Sequence, residues 1–304
     1  MLIFKKLDLS DIEIIKPYFS LSKNRACDNT VGGTFIWRDF FEMEYVIYNN
    51  NFICKGKFFI NGENTTVFAM PLCKNTEEIL DSLKQIELYC KENKIPMIIC
   101  LATEDDIKII EIAYKYINKI YEDGWADYLY KASDLSTFAG RKYSGQRNHI
   151  NYLKKTYTNY DIKQINAENI NDVRIFFEKY KNHHDNNLPA LIEETKKIYE
   201  MLQNIENFKK YGQTGIALYI DGFVIGFSIG EIINDTLFVH IEKADLSYRG
   251  AYQIIVNEFV KQNINDKIIY VNREDDAGDE NLRISKMSYH PCEIIKKYTV
   301  EIRI

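Results

Sequence analysis

The chain has 304 residues, beyond the roughly 100–200 of an ordinary single domain, so its length implies two domains. Hydrophobic residues make up 46% and charged residues 27%, which excludes a disordered chain. With 39 Lys and Arg against 44 Asp and Glu the formal net charge is -5, so general attraction to nucleic acid or anionic lipid is excluded and any anion site must be local.

No apolar stretch approaches the roughly 20 residues that cross a bilayer. Leu2-Ile3-Phe4-Lys5-Lys6 runs directly into Asp8 and Asp11 without a signal core, so the expected location is cytoplasmic. Cys27, Cys54, Cys73, Cys90, Cys100 and Cys292 form no CxxC pair or tight Cys/His cluster, and neither a metal site nor a disulfide framework is expected.

Glu44–Tyr48 alternates as a strand, and an Asn-rich turn leads to a second strand over 52–60. Asn61-Gly62 is a hairpin signal because both residues tolerate the positive φ of a tight primed turn, and 65–70 completes a meander. Asn75 with Glu78 three residues on reads as a capping box opening a helix to about Lys91, with Ile79, Leu83, Ile86 and Cys90 on one face. The apolar run 97–101 suits a buried strand, 105–118 repeats at helical spacing, and a strand near 125–130 is expected to close the first half.

Two helical patterns, 171–181 and 191–202, flank the polar loop Asn182-His183-His184-Asp185-Asn186-Asn187, whose histidines read as surface residues. A second meander follows in 215–220, 223–233 and 236–243, joined by Asp221-Gly222 and Asn234-Asp235. Then come a helix over 251–261, a strand over 267–271, a helix over 279–287 and a final alternating strand over 293–304. Meander, helix, strand, helix, strand thus occurs twice. The expected fold is α+β, with tandem domains over 1–131 and 132–304, each a mainly antiparallel curved sheet with flanking helices.

Chemistry has four candidate places. The segment 139–155 carries Arg141, Lys142, Arg147, Lys154 and Lys155 without one acid, so it is either a phosphate site or a solvated helical face over Tyr143, Ile150 and Leu153. Arg249-Gly250 lies between a strand and a helix, where unpaired N–H groups favour an anion; a plain turn capped by Ser247 is the alternative. Arg273 follows a buried strand, at the strand end where open sheets place functional groups, and Asp275, Asp276 and Asp279 lack the spacing of a calcium loop. Lys286 can orient a negative group and Tyr289 or His290 can move a proton, unless Ser288-Tyr289-His290-Pro291 is an ordinary turn.

Thr34-Phe35-Ile36-Trp37-Arg38, Gly140-Arg141-Lys142-Tyr143, Arg147-Asn148-His149, Asn272-Arg273-Glu274-Asp275 and Leu282-Arg283 with Lys286 and Ser288-Tyr289-His290-Pro291 give the chain its resemblance. It resembles the bacterial family similar to the C-terminal domain of phosphatidylglycerol lysyltransferase, over nearly its full length. The resemblance implies tandem acetyltransferase-like (GNAT-type) folds, similar also to transferases that take an aminoacyl group from tRNA. The expected activity is transfer of an activated acyl or aminoacyl group to an amine or hydroxyl of a small-molecule or peptide acceptor.

The donor is expected to be aminoacyl-tRNA or acyl-CoA, with no other cofactor assigned. Its phosphates are assigned to Arg141, Lys142, Arg147, Arg249 and Gly250. Tyr289 or His290 is placed near the acceptor, and Arg273 or Lys286 near the developing charge. Of the glycine-rich pyrophosphate loop of coenzyme A enzymes only Arg249-Gly250-Ala251 is present. The alternative is a non-catalytic module holding an anionic ligand or RNA in the same cleft.

Overall fold

The structure is a computed structural model that describes residues 2–60, 62–183 and 188–304. Asn61 of the expected hairpin and the loop residues His184–Asn187 lie outside the described residues, as do the side chains of Asn182 and His183. The chain forms two compact units, one of residues up to Asp127 with Asp275–Glu280 and Ile294–Ile304, the other of Tyr128–Glu274 with Asn281–Glu293.

In chain order the first part contains β1 (Lys5–Lys6), α1 (Ile12–Phe19), α2 (Val31–Phe35), β2 (Glu44–Tyr48), β3 (Asn51–Ile60), β4 (Glu63–Phe68), α3 (Thr76–Asn93), β5 (Met97–Ala102), α4 (Glu104–Ala113) and β6 (Ile117–Tyr121). The remainder contains β7 (Asp127–Lys131), α5 (Ala132–Thr137), α6 (Ser144–Thr156), β8 (Tyr160–Gln164), α7 (Ile170–His183), α8 (Pro189–Leu202), α9 (Ile205–Lys210), β9 (Thr214–Ile220), β10 (Phe223–Ile233), β11 (Thr236–Ala244), α10 (Ala251–Asn263), β12 (Tyr270–Asn272), α11 (Glu280–Met287), β13 (Glu293–Ile295) and β14 (Tyr298–Ile302).

The first sheet runs β1-β2-β3-β4-β5-β14-β6 and the second β13-β7-β12-β11-β10-β9-β8. Two strand expectations are therefore corrected. The strand near 125–130 does not close the first sheet but pairs antiparallel with β12, through Val271↔Tyr130. The C-terminal strand does not close the second but inserts between β5 and β6. Alternation tells a segment to be a strand; its free N–H and C=O groups accept any edge of matching register.

A third correction concerns 105–118, expected as one helix. Thr103 and Asp106 form a reciprocal capping box, the helix stops at Ala113, and Ile117–Tyr121 is β6. Elsewhere local chemistry acts as expected. Asn75 accepts the Glu78 N–H, although the returning Glu78 carboxylate takes the Lys74 N–H rather than that of the cap residue. Asn49 and Asn50 both adopt positive φ at the β2–β3 turn, as do Asp221 and Gly222 at β9–β10.

The first core buries Leu83, Ile86 and Cys90 of α3 against Ile53, Phe68, Ile99 and Val300. Within the second unit Phe227, Ile229, Leu237, Ile254, Ile255 and Phe259 are fully or nearly fully buried. Cys27, Cys54, Cys73, Cys90 and Cys100 are buried and in no disulfide, and burial pushes Cys54 and Cys90 up to about 12, which keeps them protonated and unreactive at neutral pH.

Candidate functional site

In the second unit, β11 and β12 run parallel and pair from Thr236↔Tyr270 to Phe238↔Asn272, while β11 continues to Ala244 without that neighbour. Beyond the last backbone pair, side chains take over. Glu274 has a left-handed φ of 57°, which breaks the strand alternation and lets two successive residues reach back to β11. Arg273 meets Glu242 at 2.6 Å, and Glu274 meets His240 Nδ1 at 2.6 Å.

His240 is clamped on both sides, because its Nε2 lies 2.9 Å from Glu231, whose carboxylate also receives Gln213 at 3.1 Å. Burial opposes a charge on this ring, but the Glu231 and Glu274 hydrogen bonds outweigh it and raise its pKa from 6.5 to about 10. His240 is therefore an imidazolium at neutral pH, with both N–H groups donating. In the window from 6.5 to about 10 the folded chain keeps a proton that the unfolded chain has released. Stability from this site is complete below that window and declines as pH rises through it, with a slope of up to about 1.4 kcal/mol per pH unit. Urea unfolding across the window is expected to show this decline in the wild type and a shallower one in His240→Gln; equal slopes would remove the charge from the ring.

Arg273 is only 8% exposed, and Glu242 serves one of its nitrogens. Its Nε and Nη1 have no hydrogen-bond acceptor among the described residues. The guanidinium lies over the Tyr289 ring at 4.5 Å and the Tyr130 ring at 5.8 Å. Burial opposes its charge as well, and Glu242 more than restores it. Burial raises the Tyr289 hydroxyl to about 12, so it stays protonated at neutral pH. Lys286 donates to the Arg273 carbonyl at 2.6 Å, and Tyr130 donates to the Lys286 carbonyl at 2.9 Å, a relay that fixes the Arg273 backbone. Lys286 thus positions Arg273, and its side chain lies in the interior rather than at the surface.

The other sequence candidates gather around 140–149. Arg141 is exposed in the turn before α6, and Lys142 pairs with Asp134 at 3.0 Å. Arg147 donates through Nη1 to the carbonyls of Phe138 and Gly140, closing the C-terminal end of α5. Arg249 reaches His149 with Nε at 3.4 Å and lies over the Tyr152 ring at 4.7 Å. Gly250 has φ +96° and a Cβ there would lie 2.3 Å from the His149 carbonyl oxygen, so the glycine is required by α6 itself. His290 faces the Lys142 carbonyl at 3.1 Å, which makes Nε2 the donor. Tyr143 donates to the Tyr289 carbonyl at 3.0 Å.

The structure therefore joins Arg273, Tyr289 and Lys286 in one interior cluster. The other candidates are not brought into one cluster by any contact among the described residues: His290 meets the 142–143 turn, Arg147 turns to the α5 end, and Arg249 meets His149 and Tyr152 of α6. His240, Glu231, Glu242 and Tyr130 escaped the sequence reading. For His240 and Glu242 the signal was parity, since they alternate with Val239 and Ile241 in a largely apolar strand; Glu231 and Tyr130 carry no such signal.

This arrangement can be compared with known proteins. The model of the family described as phosphatidylglycerol lysyltransferase, C-terminal, matches residues 19–301. The chain belongs to this family. A conserved protein of unknown function from Bacteroides thetaiotaomicron is 28% identical, with 100% of each chain covered and a TM-score of 0.89. The C-terminal domain (DUF2156) of a putative lysylphosphatidylglycerol synthetase from Agrobacterium fabrum is 10% identical over 97% of this chain and 92% of that one, with a TM-score of 0.69.

A curated relative, an uncharacterised protein of Mycoplasmoides gallisepticum, is 28% identical over 203 residues, or 65% of this chain, and the chain spans 64% of that relative's length. Two mixed sheets, each flanked by helices, give the expected α+β fold with its twice-repeated order of elements. No helix among the described residues is long and apolar enough to cross a membrane.

Proposed function

We propose that the chain is an acyl or aminoacyl transferase whose reacting carbonyl lies where β11 and β12 part. The observation that carries this reading is Arg273, a buried guanidinium with two donor nitrogens unanswered at a strand end. A carbonyl oxygen placed there gains charge as an acceptor amine or hydroxyl attacks its carbon, and prearranged donors stabilise that oxyanion more than they stabilise the ground state. Collapse breaks the bond to the donor's leaving oxygen or sulfur. His290, with Nε2 donating to the Lys142 carbonyl, offers Nδ1 to take the nucleophile's proton, the protonated Tyr289 beside Arg273 gives its own proton to the leaving group, and passage of the His290 proton back to Tyr289 through solvent restores both.

The donor is an activated ester or thioester bearing phosphates, as in aminoacyl-tRNA or acyl-CoA, and Arg141, Arg249 and the outer edge of α6 are its docking groups. Family membership favours the aminoacyl donor, because the family's description names a lysyltransferase. The test is thermal unfolding of the full chain with tRNA, lysyl-tRNA and acetyl-CoA, followed by mass spectrometry for product on lysine, glycerol and peptide acceptors. A protected complex that transfers its acyl group is expected. Binding of any of these donors with no transfer to any acceptor would favour a non-catalytic module for anionic ligands.

A further inference from the structure

The first unit contains a recess of its own, with an empty volume, mouth included, of about 820 Å³. Its walls include Trp37, Phe41, Phe52 and Phe58, and Phe41 lies 4.5 Å from Phe58 and 6.2 Å from Trp37. The charged residues on this wall are Asp28, Asp106, which caps α4 through Thr103, and Lys55, which pairs with Glu44.

Asp28 is poorly served where it stands. Its Oδ2 lies 2.6 Å from Lys297 Nζ, outside good hydrogen-bond geometry and with no other hydrogen-bond partner among the described residues, and burial pushes its pKa above the usual carboxylate value. The same ammonium lies 2.7 Å from Asp127, and it donates to Cys27 Sγ at 3.4 Å. Asp127 is better provided, because it also accepts the Cys27 N–H at 2.7 Å. Asp275 adds a further negative charge near Lys297. One ammonium is therefore shared among several acids, and the acid it serves with the poorer geometry is the one that faces the recess.

From this geometry we infer that the recess binds an organic monocation, an ammonium group on an apolar or aromatic body, with the ammonium at Asp28 and the body against Trp37, Phe41 and Phe58. Aromatic faces attract cations through their quadrupoles, and a carboxylate in a largely apolar wall acts in a weakly screening medium. A neutral ligand of the same shape gains the apolar contacts alone, and an anion meets repulsion. The site belongs to the first unit and does not depend on the transfer reading.

Calorimetric titration of the full chain with 2-phenylethylamine, 2-phenylethanol and 3-phenylpropionate tests it. The amine is expected to bind about tenfold or more tightly than the alcohol, with the acid weaker still. Asp28→Asn is expected to erase the difference between amine and alcohol. In Trp125→Phe, where Trp37 is the remaining tryptophan, the amine is expected to change the emission. Equal affinity of amine and alcohol in the wild type overturns the inference even if the Asp28 variant fails to fold. So does amine binding that leaves Trp37 emission unchanged.

Discussion

Lys297→Met is expected to destabilise the first unit by about 3–5 kcal/mol, the usual cost of leaving a buried charge without its partner. Lys297 and Asp127 are both fully buried and lie 2.7 Å apart, so removing the ammonium strands a carboxylate that no water can reach. Burial works against the Lys297 charge, yet Asp127 and Asp28 hold its pKa well above the ordinary lysine value. A lysine raised in this way contributes its full stabilisation below about 10.4, the unfolded value, and loses it only as pH rises toward the folded one. The loss in the variant is therefore constant through neutral pH. Urea unfolding followed by tryptophan fluorescence measures it. Adding Asp127→Asn to Lys297→Met is expected to recover part of the loss, because the double variant no longer buries the stranded charge. A single variant as stable as the wild type would mean that water reaches the site.

Lys297 carries no local signature in the sequence. Lys296 and Lys297 stand side by side, one exposed and one fully buried, and nothing local separates them. The burial is decided by Asp28 and Asp127, which are remote in sequence and reach Lys297 through the insertion of β14 between β5 and β6. The same non-local pairing hid the true sheets of β7 and β14. Features set by adjacent residues were legible: the Asn75 cap, the Asn49-Asn50 and Asp221-Gly222 turns, and the twice-repeated order of elements.

The candidate site divides along the same line. Arg273 stood out because a cation directly after a buried strand occupies a strand end, whereas its partner Glu242 sits on another strand and shows in sequence only as an odd polar residue. Gly250 stood out as a glycine at a helix start, and the structure gives it a reason inside the protein, the His149 carbonyl at α6. The cationic run over 139–155 was legible as charge. How that charge is distributed among Asp134, the α5 carbonyls and solvent was not, since it depends on side-chain geometry.

Arg273→Lys is expected to lower the transfer rate constant by about 10²–10³ for whichever donor the screen selects, the usual loss when a prearranged oxyanion donor is removed. Lysine keeps a positive charge near Glu242, but it lacks the fork that presents Nε and Nη1 beside the bond to that carboxylate. The substitution therefore separates charge from directed donation. Donor KM is expected to hold within a few-fold while kcat falls, because the lost interaction forms only as the carbonyl gains charge. Glu242→Gln provides the structural control. It perturbs the same buried pair and lowers the urea midpoint, yet leaves the two unanswered nitrogens of Arg273 in place, so its kcat is expected to fall far less than that of Arg273→Lys. Steady-state kinetics and unfolding curves on the two variants decide the matter. If kcat falls equally in both, in proportion to lost stability, then Arg273 is a structural guanidinium stacked on Tyr289 and the reacting centre lies elsewhere.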